Sequence, residues 1–338
     1  MIRTSFQAKG VTFNKPNSSN TKVHWCILSK GYMSVSASKY FNHFPHAAEG
    51  ILPCWSWFRK ASATSNCGLV IMDGLELVEN SWQKQLVDAM KCRVEYRNET
   101  YTGKHLTNLP GGNNSIQFVQ NVLLQKPRYS TMRYLAEEED AHALRRLFVD
   151  DIAIYNVKDD IDYYYLGVNK SKKPLQIGLL QREGRRVITN LHEIREALRV
   201  ALPYAEIHTS TLDYPLIRDQ ALWFATKNII IGAHGAGLTN ALFITKGTIV
   251  LQIWPDNWFW QSLDPLIEQS GGIALDWYPR GKHPVVTFET AKRTGAQNFG
   301  RESNITPPVE EVVDRILMAL GAKMPNQTNI DSIRDALW

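Results

Sequence analysis

The 338 residues are enough to bury one or two cores of ordinary size without staples. At 44% hydrophobic and 21% charged the composition is globular, and the net charge of +5 comes with no basic run, which disfavours a nucleic-acid partner. No unbroken apolar stretch reaches membrane-spanning length, and the start, MIRTSFQAKGVTFNKPNSSN, lacks the apolar core of an export signal or anchor. The mild positive balance suits an anionic small molecule such as a nucleotide. Cys26, Cys54, Cys67 and Cys92 form no C-x-x-C pair, so zinc is disfavoured; disulfides and buried thiols both stay open.

In the first half, 40-YFNHFPHAAEGILP-53 puts His43, His46 and Glu49 at the spacing of one helical face. Such a cluster can do acid–base work, hold a metal, or simply cap a helix that Pro45 unsettles. A strand is expected in 69-LVIMDGLELV-78 and a helix in 135-LAEEEDAHALRRLFV-149, with a polar break at 108-NLPGGNNS-115. Asp160-Ile161-Asp162 is formally a D-x-D, and 166-LGVNKSKKP-174 reads as an interdomain linker.

From Lys173 onward strands and helices alternate. The strand 175-LQIGLL-180 leads through QREGRR to the helix 191-LHEIREALRVAL-202, with Leu191, Ile194, Leu198 and Leu202 near helical spacing. The strand 205-AEIHTS-210, a helical 214-YPLIRDQALWFATK-227 and the strand 228-NIIIG-232 follow. Then come a glycine loop, a helix from about Leu238, the strand 248-TIVLQIW-254, a helix near 261-QSLDPLIEQS-270 and the strand 273-IALDWY-278. This alternation predicts a parallel, doubly wound sheet that binds its ligand at the C-terminal strand ends. A last helix is expected over 308-PVEEVVDRILMALG-321.

Two loops at that edge carry the functional expectation. In 229-IIIGAHGAGLTNALF-243 the glycines run G-x-x-G-x-G, the reverse of the dinucleotide order, which argues against a dehydrogenase. Gly235 and Gly237 allow close backbone approach, free N–H groups at a helix start favour an anion, and His234 is a candidate donor to a phosphate or sugar hydroxyl. The alternative is a tight turn around a buried histidine. In 181-QREGRRVITNLHEI-194, Arg182, Arg185 and Arg186 follow the first strand of the same domain and offer planar forks suited to a diphosphate.

GAHGAGLTNALF, followed by a strand ending LQIWP, resembles the signature of glycosyltransferase family 61. The family's arginine loop, R-x-x-x-R-x-x-x-N-x-x-E, is matched by Arg182, Arg186, Asn190 and Glu193. YFNHFPHAAEGILP resembles its upstream His/acid segment, which aligns His46 and Glu49 with that pair. Gln252 and 274-ALDWYPRGKHPVV-286 are similar to plant-type members that modify xylan with pentoses.

The resemblance implies an α/β fold of GT-B type: two Rossmann-like domains facing a cleft, with the C-terminal helix crossing back to the first. It divides the chain into an acceptor-side domain (1–168), a nucleotide-sugar domain (169–305) and a C-terminal helix and tail (306–338). It implies inverting transfer of a pentose or N-acetylglucosamine from a UDP-sugar to a glycan or glycoprotein hydroxyl. Arg182, Arg186, Asn190, His234, Gly235, Ala236, Gly237, Leu238 and Thr239 then bind the donor, and His46 or Glu49 is the base. No cofactor and no metal is expected beyond the UDP-sugar co-substrate. Together with the six N-x-S/T sequons at Asn17, Asn98, Asn113, Asn169, Asn304 and Asn326, it points to the Golgi or ER lumen. Two rivals stay open: a non-catalytic nucleotide-sugar-binding member, and a metal-dependent GT-A transferase using Asp160 and Asp162.

Overall fold

The computed structural model describes residues 25–29, 44–61, 69–73, 75–97, 122–124, 135, 137–149, 174–256, 263–279 and 302–321, in some helices and strands by their backbone alone. It divides into two units, Met1–Met132 and Arg133–Trp338.

The first unit holds four parallel strands: β1 (Trp25–Ser29), β2 (Leu69–Asp73), β3 (Arg93–Arg97) and β4 (Val122–Leu124), in the order β3-β2-β1-β4. Helix α1 spans Phe44–Ala61. Its apolar positions Ala47, Ile51, Trp55 and Phe58, with Ala48 and Leu52 beside them, recur at helical spacing and are all buried. Pro45 falls in the first turn, where its missing N–H is not needed, so it starts the helix rather than unsettling it. Pro53 lies inside and has no N–H to give the Glu49 carbonyl one turn earlier. Helix α2 (Trp82–Ala89) is capped by the Ser81 hydroxyl, which accepts from Lys84 N at 3.2 Å. Cys54 and Cys92 are both disulfide-bonded, and among the described residues no cysteine is free.

The second unit opens with α3 (Glu138–Arg145) and continues with β5 (Gln176–Leu180), α4 (Leu191–Ala201), β6 (Glu206–Ser210), α5 (Ile217–Ala225) and β7 (Ile229–Ala233). A 3-10 helix (Ala236–Phe243), β8 (Ile249–Ile253), α6 (Asp264–Gln269), β9 (Ile273–Trp277) and α7 (Val309–Ala319) complete it. The strands form one parallel sheet in the order β6-β5-β7-β8-β9. That is the doubly wound 2-1-3-4-5 pattern, whose direction reverses between β5 and β7. The Rossmann-like reading of this half is borne out.

Burial follows from covering both faces. Every residue of β7 and β8 is buried, the continuous apolar run that a parallel sheet requires, whereas edge strand β6 buries only Ile207. On one face Ile177, Leu179, Ile229, Ile231, Ile249 and Leu251 pack with Ile194 and Leu198 of α4 and Val312 and Ile316 of α7. On the other, the Trp223 ring of α5 occupies the space a Cβ on Gly178 would need, 2.6 Å from its nearest atom.

Helix α7 packs within the second unit: its buried Val312, Val313, Ile316 and Ala319 belong to that unit's core. Each large side chain so buried contributes about 1.5–3 kcal/mol, which fixes the helix where it lies. The division at 132/133 groups residues 135–149 with the second unit, on which they dock. Leu135 N donates to Gln269 Oε1 at 2.9 Å, the buried Arg145 guanidinium donates to Ile244 O, and Phe148 meets Phe243 edge-on at 5.4 Å.

Candidate functional site

The site grows out of the two loops that leave the sheet where its direction reverses, after β5 and after β7. Parallel strands all point the same way, so these loops emerge side by side at one edge.

The β5 loop is held by its own glutamine. Gln181 Oε1 accepts from Arg182 N at 3.0 Å and Ile188 N at 3.1 Å, while its Nε2 donates to Ile188 O at 3.0 Å. A parallel bridge between Ile188 and Ile305 secures the far end. Gly184 (φ 76°) and Arg186 (φ 54°) take the left-handed turns that reverse the chain; Arg186 is an unusual residue for that region. The arginines then part company. Arg185 faces outward to Glu302 Oε1 at 2.7 Å, an exposed pair. Arg182 and Arg186 turn to the β7 loop, where the Arg186 guanidinium donates to His234 O at 2.9 Å.

Gly235 is the meeting point. A Cβ built on it would lie 2.0 Å from Arg182 Nη1 and 3.5 Å from Arg186 Nη1, so both guanidinium tips crowd the space that only glycine leaves open. Burial, then the neighbouring Arg185, pulls the Arg182 pKa below its usual value. An arginine nonetheless stays charged, so the pair is a partly buried positive centre suited to an anion.

The expected α-helix from Leu238 is a 3-10 helix beginning at Ala236, in which Leu238 N already donates to Gly235 O at 3.0 Å. The N–H groups left without an intrahelical acceptor are thus those of Ala236 and Gly237, not those after Gly237. Asn240 tightens the turn by donating from Nδ2 to Gly237 O at 3.2 Å. Leu238 and Thr239 are fully buried behind it, and the Thr239 hydroxyl finds no hydrogen-bond partner among the described residues.

His234 is 4% exposed and lies flat on Trp254, ring centroids 3.8 Å apart and planes 14° apart. Its Nδ1 meets Gln252 Oε1 at 3.0 Å. Burial above all, with Arg186 and Arg182 adding to it against the Gln252 bond, lowers its pKa to about 3, so the imidazole is neutral. Alongside, Thr209, Ser210, Thr211, Asp213 and Tyr214 line an open pocket of about 350 Å³ at the end of β6. Leu212 joins it to the glycine loop, 3.3 Å from where a Gly237 Cβ would be.

The structure therefore gathers Arg182, Arg186, His234, Gly235, Ala236 and Gly237. Asn190 stands apart: its buried amide donates to Pro307 O at 2.7 Å and so ties the start of α4 to the chain's own backbone. Glu193 points to solvent on α4. His46 and Glu49 lie three residues apart on α1 of the first unit. Asp160, Asp162 and His43 fall outside the described residues, as do the sequons other than Asn304. Sequence reasoning missed Gln181, Trp254, Asp264 and Asp276. A charged residue inside the otherwise apolar strand 273–277 was the available signal for Asp276.

A doubly wound sheet with two guanidinium groups at its switch point is an arrangement that suits an anion. The family model described as Glycosyltransferase 61 matches residues 96–251, a stretch that contains both loops. Over that stretch the chain is similar to glycosyltransferase family 61, a family whose class of activity is glycosyl transfer. The match does not reach His46 and Glu49, and it stops one residue short of Gln252. Comparison with curated proteins finds no match.

Proposed function

We propose that this chain moves a sugar, a pentose or N-acetylglucosamine, from a UDP-sugar to a hydroxyl of a glycan or glycoprotein, with inversion. The observation that carries the reading is the convergence of Arg182 and Arg186 on Gly235 at the switch point. In such a transfer the acceptor oxygen attacks the anomeric carbon as its bond to the diphosphate breaks. A single base takes the acceptor proton, and the departing diphosphate gains negative charge. The two guanidinium groups, with the N–H groups of Ala236 and Gly237, are placed to stabilise that charge, so no divalent ion is required. The hydroxyl-rich pocket of Thr209–Tyr214 suits the nucleoside end of the donor. His46 or Glu49 on α1 is the proposed base, and the GT-B arrangement is the proposed frame for bringing it to the acceptor.

Two features favour the Golgi or ER lumen. The family is typical of the secretory pathway, and the bonded Cys54 and Cys92 belong to an oxidising compartment. No helix among the described residues is long and apolar enough to cross a membrane.

The test is a panel of UDP-sugars, including UDP-xylose, UDP-arabinose and UDP-N-acetylglucosamine, scored for UDP release in the presence of EDTA. At least one should be turned over by the unmodified chain and none appreciably by Arg182→Ala. If no UDP-sugar is turned over or raises the melting temperature, the reading is wrong. If turnover appears only with a divalent ion, the metal-free mechanism is wrong.

A further inference from the structure

Beneath the arginine loop, strand register assembles a polar relay that the transfer scheme leaves unused. In the sheet Gly232 pairs with Gln252 and Gln252 with Asp276. Because side chains alternate with period two, His234, Trp254 and Tyr278 form the next row on the same face. That upper row is an aromatic ladder: His234 stacks on Trp254, and Trp254 on Tyr278 at 5.7 Å and 18°. The lower row is polar and buried, and α6 lays Asp264 over it.

The donors and acceptors in this row form a chain. Asp276 Oδ1 accepts from Trp254 Nε1 at 2.7 Å, and Oδ2 from the Tyr278 hydroxyl at 3.2 Å. Asp264 Oδ1 accepts from Gln252 Nε2 at 2.5 Å. The other end of the Gln252 amide, Oε1, then faces His234 Nδ1 at 3.0 Å and can only accept.

We infer that Asp264, through Gln252, acts as a positioning residue that locks His234 in the Nδ1–H tautomer. Nε2 of His234 is then an acceptor, and whatever group meets it must donate. Within the proposed transfer, on which this consequence rests, that selects a sugar or ribose hydroxyl. It excludes a phosphate oxygen, which has no proton to give. His234 therefore differs from the donor role expected of it, and the diphosphate is left to the arginines. Other charged groups face this row: Arg182 and Arg186 act on His234, and Arg315 of α7 acts on Asp276 and Tyr278. Glu311 of α7 lies one strand position away, bonded to Trp277 Nε1 at 2.6 Å.

The tautomer can be read without any activity, by 15N NMR of the histidine-labelled full chain near neutral pH, with His234→Ala used to assign the signal. The expected result is a pyrrole-type Nδ1 and a pyridine-type Nε2 in the unmodified chain. Asp264→Asn should keep that pattern, because its amide oxygen still accepts from Gln252. Asp264→Leu should lose the single tautomer. A pyrrole-type Nε2 in the unmodified chain overturns the inference, as does a pattern that Asp264→Asn fails to keep or that Asp264→Leu leaves intact. Should Asp264→Leu not fold, the unmodified chain and Asp264→Asn still decide. None of these outcomes depends on whether a UDP-sugar is turned over.

Discussion

Replacing Gly235 by alanine should weaken anion binding and strain the turn that presents it. The new Cβ would sit 2.0 Å from Arg182 Nη1 and 2.9 Å from its Cζ, whereas real Cβ contacts do not fall below 3.0 Å. The guanidinium must therefore retreat by at least the difference, 3.0 − 2.0 = 1.0 Å. Its tip is flexible, but Gly235 holds φ 159° and ψ −176°, a backbone region that alanine rarely adopts, so the change costs about 1–3 kcal/mol. Tm then falls by roughly 2–4 °C for each kcal/mol. For a bound diphosphate the same shift removes a charge-assisted hydrogen bond worth about 1.5–3 kcal/mol, roughly ten- to hundredfold in Kd. Calorimetric titration of UDP into both proteins, with a thermal melt of each, reads both effects. Arg182→Ala should weaken UDP by a similar factor, and the double variant by no more than either alone, since both changes remove one interaction. An unchanged Kd for UDP in a folded Gly235→Ala protein would refute the account of how the two loops meet.

Other changes test the frame around the site. Gly272→Ala would push a Cβ to 2.4 Å from Ile244 Cδ1 and 3.0 Å from Thr248 O, so overpacking should cost about 1–3 kcal/mol, read as a lower denaturant midpoint. Ile316→Ala in α7 should destabilise the second unit by about 2–5 kcal/mol; a neutral result would mean the helix is not part of its core. The pH dependence of stability has a worked sign. Burial, with Asp264 beside it, raises the Asp276 pKa to about 8, so the folded chain keeps a proton that the unfolded chain gives up above the ordinary value of 3.8. Stability then falls as pH rises between those limits. His234 acts oppositely below its ordinary value of 6.5, where the unfolded chain takes a proton that the buried ring refuses. The window from 6.5 to about 8 therefore isolates Asp276, and Asp276→Asn should flatten the fall of Tm with pH there.

The second unit was largely legible because its strands are short apolar runs buried on both sides, set off by helices with a clear 3.6-residue stripe. Ile229–Ile231 and Leu191, Ile194, Leu198 are examples. The first unit was less so: Arg93–Arg97, RVEYR, carries three charges in five residues, and β4 is only three residues long. The glycine loop and arginine loop announced the site, since glycine spacing and local charge are sequence properties. Their refinement was not announced. Nothing in AGLTNALF distinguishes a 3-10 from an α-helix, and the approach of Arg182 to Gly235 depends on left-handed turns 182–186 that a residue list does not show. The relay was the least legible part. Gln252, Asp264 and Asp276 are spaced by twelve residues each; the register of β8 with β9 makes Gln252 and Asp276 neighbours, and α6 brings Asp264 to Gln252. Asn190 shows the reverse case, a position matching the family motif whose amide holds Pro307.

The most direct measurement is a calorimetric comparison of uridine, UMP and UDP binding to the unmodified chain with chelator present. The positive centre at the switch point predicts affinity that rises with each phosphate and weakens with added salt. Equal affinity for all three, or no binding of UDP without a divalent ion, would contradict the claim that Arg182, Arg186 and the glycine loop hold the donor's diphosphate.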